Sequence, residues 1–83
     1  MKHHRTSILI ADDHEVVRSG IRSYLEKISD FHVLGEASSG EETLGMVSEL
    51  IPDIVLLDLI MPGMDGIETT RRIRQISPRT KVV

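Results

Sequence analysis

Three aspartates follow two continuous apolar runs. Asp12 and Asp13 come directly after Ser7-Ile8-Leu9-Ile10-Ala11, and Asp58 comes directly after Ile54-Val55-Leu56-Leu57. An unbroken apolar run is the pattern of a strand covered on both faces, as in a parallel sheet. A carboxylate needs water, a cation or a hydrogen-bond donor. Strand ends satisfy both demands, and open α/β sheets place their ligand crevice at the carboxyl ends of the strands. Parallel neighbours lie about 5 Å apart, so adjacent runs would bring the three carboxylates to one small site. Mutual repulsion there would raise their pKa values or draw in a cation. Carboxylate oxygens with room for water suit Mg²⁺, which also bridges to phosphoryl oxygens. An Asp carboxylate is itself a phosphoryl acceptor. A lone Asp after a strand is usually a turn former or a cap; the company of Asp12 and Asp13 sets Asp58 apart.

Three reactions fit a carboxylate, a divalent ion and a phosphoryl group. A phosphatase with Asp58 as nucleophile is one, but haloacid-dehalogenase-like enzymes carry a second Asp two positions on, as acid and base. Ile60 stands there and cannot transfer a proton. A P-loop NTPase is another, with Asp58 ending a Walker-B-like strand, but the chain has no Gly-x-x-x-x-Gly-Lys-Ser/Thr cradle. The third is a carboxylate that takes a phosphoryl group from a partner and holds it.

Alternating strands and helices would position these residues. After the run ending at Ala11, Val17, Ile21, Leu25 and Ile28 recur at helical spacing, with Val16 and Tyr24 beside them. Glu15, Arg18, Arg22 and Glu26 take the other faces. Gly20 marks either close packing or simple tolerance. Phe31 to Ala37 reads as a less apolar strand, suited to a sheet edge. Ser39 opens a capping box with Glu42, and its helix presents Leu44, Val47, Leu50 and Ile51 before Pro52 stops it. Ile54 to Leu57 is a third strand, and the residues from Leu59 to Met64 form a loop. Asp65 caps a third helix, with Glu68 three residues on and Ile67, Thr70, Ile73 and Ile76 as its stripe. Thr80 to Val83 starts a fourth strand. Such alternation implies a parallel sheet.

Composition narrows the function classes. A chain of 83 residues makes at most one small domain. Aromatic residues are 2%, only Tyr24 and Phe31, so the core is aliphatic and base-stacking platforms for single-stranded nucleic acid are disfavoured. The net charge of −3 argues against an anionic partner surface. With no cysteine, disulfides, thiolate metal sites and a Cys nucleophile are excluded. No apolar stretch approaches the roughly 20 residues of a spanning helix, and the basic Met1-Lys2-His3-His4-Arg5 start does not read as a signal peptide. A cytoplasmic protein with no membrane contact is expected.

The motifs resemble those of a response-regulator receiver domain, the CheY-like fold. The matching segments are Ile8-Leu9-Ile10-Ala11-Asp12-Asp13-His14, Gly35-Glu36-Ala37, Ser39-Gly40-Glu41-Glu42, and the stretch from Asp53 through Asp58, Met61-Pro62 and Met64-Asp65-Gly66. Asp-Asp-His and the spacings are similar to the NarL/LuxR group, whose full-length members carry a C-terminal helix-turn-helix DNA-binding domain. The resemblance implies an open parallel sheet flanked by helices with strand order 2-1-3-4. It implies that Asp58 is the phosphoacceptor and one of the metal-site residues, that Asp13 ligates Mg²⁺ directly, that Asp12 acts through water or assists, and that the backbone carbonyl of Ile60 completes the protein ligands. The donor would be the phosphohistidine of a sensor histidine kinase or a small acyl phosphate. Any self-phosphorylation or dephosphorylation would belong to this acceptor role rather than to a conventional enzyme. The Ile60 side chain would lie at the mouth of the site, where a hydrolytic water must pass.

Receivers also carry a Ser or Thr after the fourth strand and a Lys after the fifth, and five strand-helix units need about 120 residues. Residues 1–83 are thus expected to be a receiver truncated after the start of the fourth strand, incomplete at its C-terminal end, with DNA bound only through a domain absent here. The alternative expectation is a fragment that no longer signals by phosphate and behaves as an interaction module, forming a homo-oligomer or exchanging strands at Val82-Val83. His14 reads as a helix-entry residue whose pKa nearby acids would raise. His3 and His4 read as a disordered start, Met61 and Met64 as loop packing, and Arg71, Arg72, Arg74 and Arg79 as a solvated helix end.

Overall fold

The computed structural model describes residues 5–61 and 64–83, with Met64 described in its backbone alone. His3, His4, Pro62, Gly63 and the Met64 side chain therefore lie outside the described residues. The elements are β1 (Thr6–Ala11), α1 (Glu15–Glu26), β2 (Phe31–Ala37), α2 (Gly40–Leu50), β3 (Ile54–Leu57), β4 (Ile60–Met61), β5 (Met64–Asp65), α3 (Gly66–Ile76) and β6 (Lys81–Val82). Four of the strands make a parallel sheet in the order β2-β1-β3-β6, with the less apolar β2 at one edge. This is the expected CheY-like arrangement, with β6 as the fourth strand.

The apolar run of β1 is explained by its place. Ile8, Leu9, Ile10 and Ala11 are all buried, because both faces of the sheet are covered. On one face Leu9, Ala11, Val55 and Leu57 pack with Ala37, with Val47 of α2 and with Ile73 of α3. On the other, Ile8 and Ile10 pack with Val33 and with Leu25 of α1, flanked by Ile21, Ile54 and Leu56. The pairing of β1 with β2 shifts between Ile8↔Val33 and Leu9↔Gly35, so Leu34 is an extra residue in β2. Such bulges are rare in parallel pairs. It places Val33 on the α1 face and Ala37 on the α2–α3 face.

Several helix faces differ from the sequence reading. On α1, Leu25 is buried and Ile21 is half-buried, as is Ile28 just past the helix end, but Val16 and Val17 are exposed. On α2, Thr43 and Val47 face inward while Leu50 and Ile51 are exposed. On α3 the buried line is Gly66, Thr69 and Ile73, and Ile67 is 72% exposed. Counting only large apolar residues hid Thr43 and Thr69, whose hydroxyls bond back to the carbonyls of Ser39 and Asp65. A hydroxyl satisfied in that way can be buried as a small apolar group. At Gly20 nothing lies within 4 Å of where a Cβ would stand, so it reflects tolerance rather than close packing.

Caps and ties complete the frame. Ser39 Oγ accepts from Glu42 N at 3.0 Å and Asp65 Oδ1 accepts from Ile67 N at 2.9 Å, so both predicted caps form. The reciprocal half of neither capping box does: Glu42 binds Ser38, and Glu68 pairs with Arg71 and Arg72. Asp53 Oδ2 accepts from Ser7 N and Oγ, while Ser7 Oγ accepts from Asp53 N, joining the starts of β1 and β3. The stretch expected as a loop contains a short antiparallel ladder, Ile60↔Asp65 and Met61↔Met64. Met61 is buried in the core, in keeping with a packing role.

Candidate functional site

The ladder of the parallel sheet carries the acids to one rim. Ala11 pairs with Leu57 at the ends of β1 and β3, so the next residue of each strand is an aspartate. Asp58 N donates to Ala11 O at 2.9 Å, and Asp12 N donates to Ala37 O at 3.0 Å. The backbone thus holds both residues in register one step beyond the strands. Asp12, Asp13 and Asp58 each offer a carboxylate oxygen, and with a nitrogen of His14 these atoms all lie within 4.8 Å of one another. A groove of about 290 Å³ runs from Asp12 and Asp58 over Ile10, Ile21, Leu56 and Val83.

Each carboxylate has a different environment. Asp58 Oδ1 accepts from Ile60 N at 3.0 Å, which fixes the turn after β3 and leaves Oδ2 toward the cluster. The Ile60 side chain points away from the core and is 83% exposed. Asp12 Oδ1 accepts from His14 N at 2.8 Å and lies 2.9 Å from His14 Nδ1. Asp13 Oδ1 is closed off from solvent and makes no hydrogen bond, although His14 Nδ1 stands 3.1 Å away. Nδ1 is hydrogen-bonded to Asp12 instead, at 2.9 Å. A buried carboxylate oxygen left without a partner, as at Asp13, is costly, and a hard divalent cation is a species that a cluster of three carboxylates fits.

His14 is more than a helix-entry residue. It occupies the N-cap of α1 without a side-chain cap bond, and its ring lies over the acids, 3.8 Å from Asp58 Oδ2. Its hydrogen bond to Asp12, followed by the Asp13 charge, raises its pKa above the ordinary value, in line with expectation. For Asp12 the expected rise does not occur. Burial pushes its pKa up, but the hydrogen bonds from His14 and the charges of His14 and Arg18 outweigh it and hold the carboxyl below its usual value.

One part of the site is invisible in the apolar pattern. Helical spacing puts Arg18 and Arg22 of α1 on outer faces, yet both grip Glu36 on β2. Arg18 Nε donates to Glu36 Oε1 at 2.8 Å and Arg22 Nη1 donates to Glu36 Oε2 at 2.9 Å. These two hydrogen bonds, Arg22 first, hold the Glu36 carboxyl below its usual range. The available signal was two arginines four positions apart, facing one acid in an edge strand.

The model of the response regulator receiver domain matches residues 8–83. The response regulator protein VraR of Staphylococcus aureus is 49% identical over 76 residues, which cover 92% of this chain and 36% of that protein. The chain thus spans about a third of the length of the curated relatives it matches. The signal receiver domain of the NarL regulator of Mycobacterium tuberculosis superposes with a TM-score of 0.89 at 33% identity, covering 95% of this chain and 64% of that one. RcsB of Salmonella enterica serovar Typhimurium, bound to promoter rprA in the presence of phosphomimetic BeF3-, superposes with a TM-score of 0.87 at 32% identity, covering 95% of this chain and 41% of that one.

Proposed function

The chain belongs to the response regulator receiver domain family, and from that premise we propose that residues 1–83 are receiver sequence in which Asp58 accepts a phosphoryl group. The observation that carries this reading is the convergence of Asp12, Asp13 and Asp58 at one rim, with Asp13 Oδ1 buried and unpartnered. The donor is the phosphohistidine of a sensor histidine kinase or a small acyl phosphate. A carboxylate oxygen of Asp58 attacks phosphorus, the bond from phosphorus to the donor imidazole nitrogen breaks, and that nitrogen takes up a proton. The product is an acyl phosphate on Asp58.

Asp13 and Asp58 would hold Mg²⁺ with their carboxylates, Asp12 would assist, directly or through water, and the carbonyl of Ile60 would complete the set. An ion held there would supply positive charge against the phosphoryl oxygens. The Ile60 N–H orients Asp58 by holding Oδ1. His14 and Arg18 keep Asp12 ionised. On this reading the chain serves a cytoplasmic transcription regulator that reaches DNA through a separate domain.

Labelling with acetyl phosphate tests the proposal in the full-length protein. Label is expected on the unmodified protein with Mg²⁺, and is expected to vanish with chelator or in Asp58→Ala. Equal labelling of Asp58→Ala refutes the assignment.

A further inference from the structure

Arg18 makes two contacts that no other described side chain combines. Its Nη1 donates to the backbone carbonyl of Asp12 at 2.6 Å, and its Nε donates to Glu36 Oε1 at 2.8 Å. The carbonyl of Asp12 belongs to the peptide that joins Asp12 to Asp13. Glu36 is in turn fixed by its place in β2, opposite Ile10, and by Arg22 on its second oxygen. The guanidinium is a rigid planar fork whose donors leave in set directions. It therefore braces the Asp12–Asp13 peptide against the edge strand. The Arg18 side chain is only 16% exposed, so the brace is shielded from water.

Asp13 has the most to gain from that brace. Its Oδ1 makes no hydrogen bond of its own, so its aim depends on the backbone that carries it. Asp12 has His14, and Asp58 has the Ile60 N–H.

We propose that Arg18 is a positioning residue for the divalent cation: by bracing the Asp12–Asp13 peptide against Glu36, it sets how tightly the three carboxylates bind the ion. This rests on the cation reading given above. Two physical effects of Arg18 have opposite signs, which makes the role testable. Its positive charge beside the site repels a cation, so a purely electrostatic residue would weaken binding and its removal would tighten it. A brace does the reverse. Outer-shell groups that orient metal ligands typically change affinity by about 10–100-fold.

The probe is Mn²⁺ alone, bound to the full chain and followed by loss of the free-ion paramagnetic resonance signal. Thermal melting of the metal-free variants runs in parallel. Arg18→Ala is expected to weaken Mn²⁺ binding about tenfold. Arg18→Lys is expected to do the same, because one ammonium keeps the charge but not the fork. Thr80→Val touches neither the rim nor the Arg18 bonds, so it is expected to lower the melting temperature while keeping Mn²⁺ affinity within about twofold, a change smaller than about 1 kcal/mol. Should Arg18→Ala fail to fold, Arg18→Lys decides alone. Unchanged or tighter binding in the Arg18 variants overturns the positioning role, as does equal weakening by Thr80→Val. Failure of the unmodified chain to bind Mn²⁺ is a separate result, and it overturns the cation reading itself.

Discussion

Alanine at three glycines should produce three different results, because the space around each differs. At Gly66, the first residue of α3, a Cβ would stand 2.7 Å from Leu59 Cα and 2.8 Å from Leu59 O. Both are backbone atoms and cannot rotate away. Ordinary contact requires the two segments to separate by about 0.7 Å. Overpacking of this kind costs about 1–3 kcal/mol, and the small helix-propensity gain at a first turn does not offset it. At Gly35 the obstacle is the Met46 terminal methyl, 2.6 Å away but on a flexible side chain. Met repacks readily, so the cost should stay below about 1 kcal/mol. Gly20 meets nothing within 4 Å and lies inside α1, where alanine gains about 0.5–1 kcal/mol. For a domain of this size each kcal/mol moves the melting temperature by about 4–8 °C. Melts of the three variants should therefore rank Gly20→Ala above the unmodified chain, Gly35→Ala near or slightly below it, and Gly66→Ala lowest. A Gly66→Ala protein that melts at or above Gly20→Ala refutes the close approach of α3 to Leu59.

Two further predictions concern ionisation and a buried hydroxyl. The raised pKa of His14 stabilises the folded chain fully below its unfolded value of 6.5 and is lost as pH rises through the folded value. The lowered pKa of Asp12 stabilises above 3.8 and is lost as pH falls through the folded value. In chelator, the melting difference between the unmodified chain and His14→Asn should be greatest between these limits and shrink toward alkaline pH; a difference that grows above neutrality contradicts the contact with Asp12. Thr80 Oγ1 donates to Pro52 O at 2.6 Å and stands 2.6 Å from Ser77 Oγ, all buried. Thr80→Val should cost about 1–3 kcal/mol in denaturant unfolding by orphaning those groups, whereas Thr80→Ser should cost clearly less.

The sheet and the rim of acids were legible because they rest on strong local signals. Continuous apolar runs mark strands buried on both faces, and the aspartates mark where burial ends. Helix faces were less legible. The stripe assigned to α3 counted Ile67 and Ile76 and passed over Thr69, since a threonine looks polar until its hydroxyl finds a carbonyl within its own helix. The grip of Arg18 and Arg22 on Glu36 escaped for another reason. A charge in an edge strand is ordinary, and nothing in linear spacing says that an extra residue turns it toward α1. The expected rise in the Asp12 pKa failed because counting acids omitted the cations that fold back over them.

That extra residue, Leu34, has a consequence beyond local geometry. It resets the odd-even rhythm of the strand halfway along. The earlier half answers to the aliphatic interior through Val33, and the later half hands a carboxylate to two arginines through Glu36. Without the reset, one strand could not serve both clients from the same side. Loss of a single residue there would swing the acid toward the layer containing Val47 and strand the two guanidinium groups. The length of the strand at position 34 is therefore a constraint in its own right, apart from the side chain it carries there.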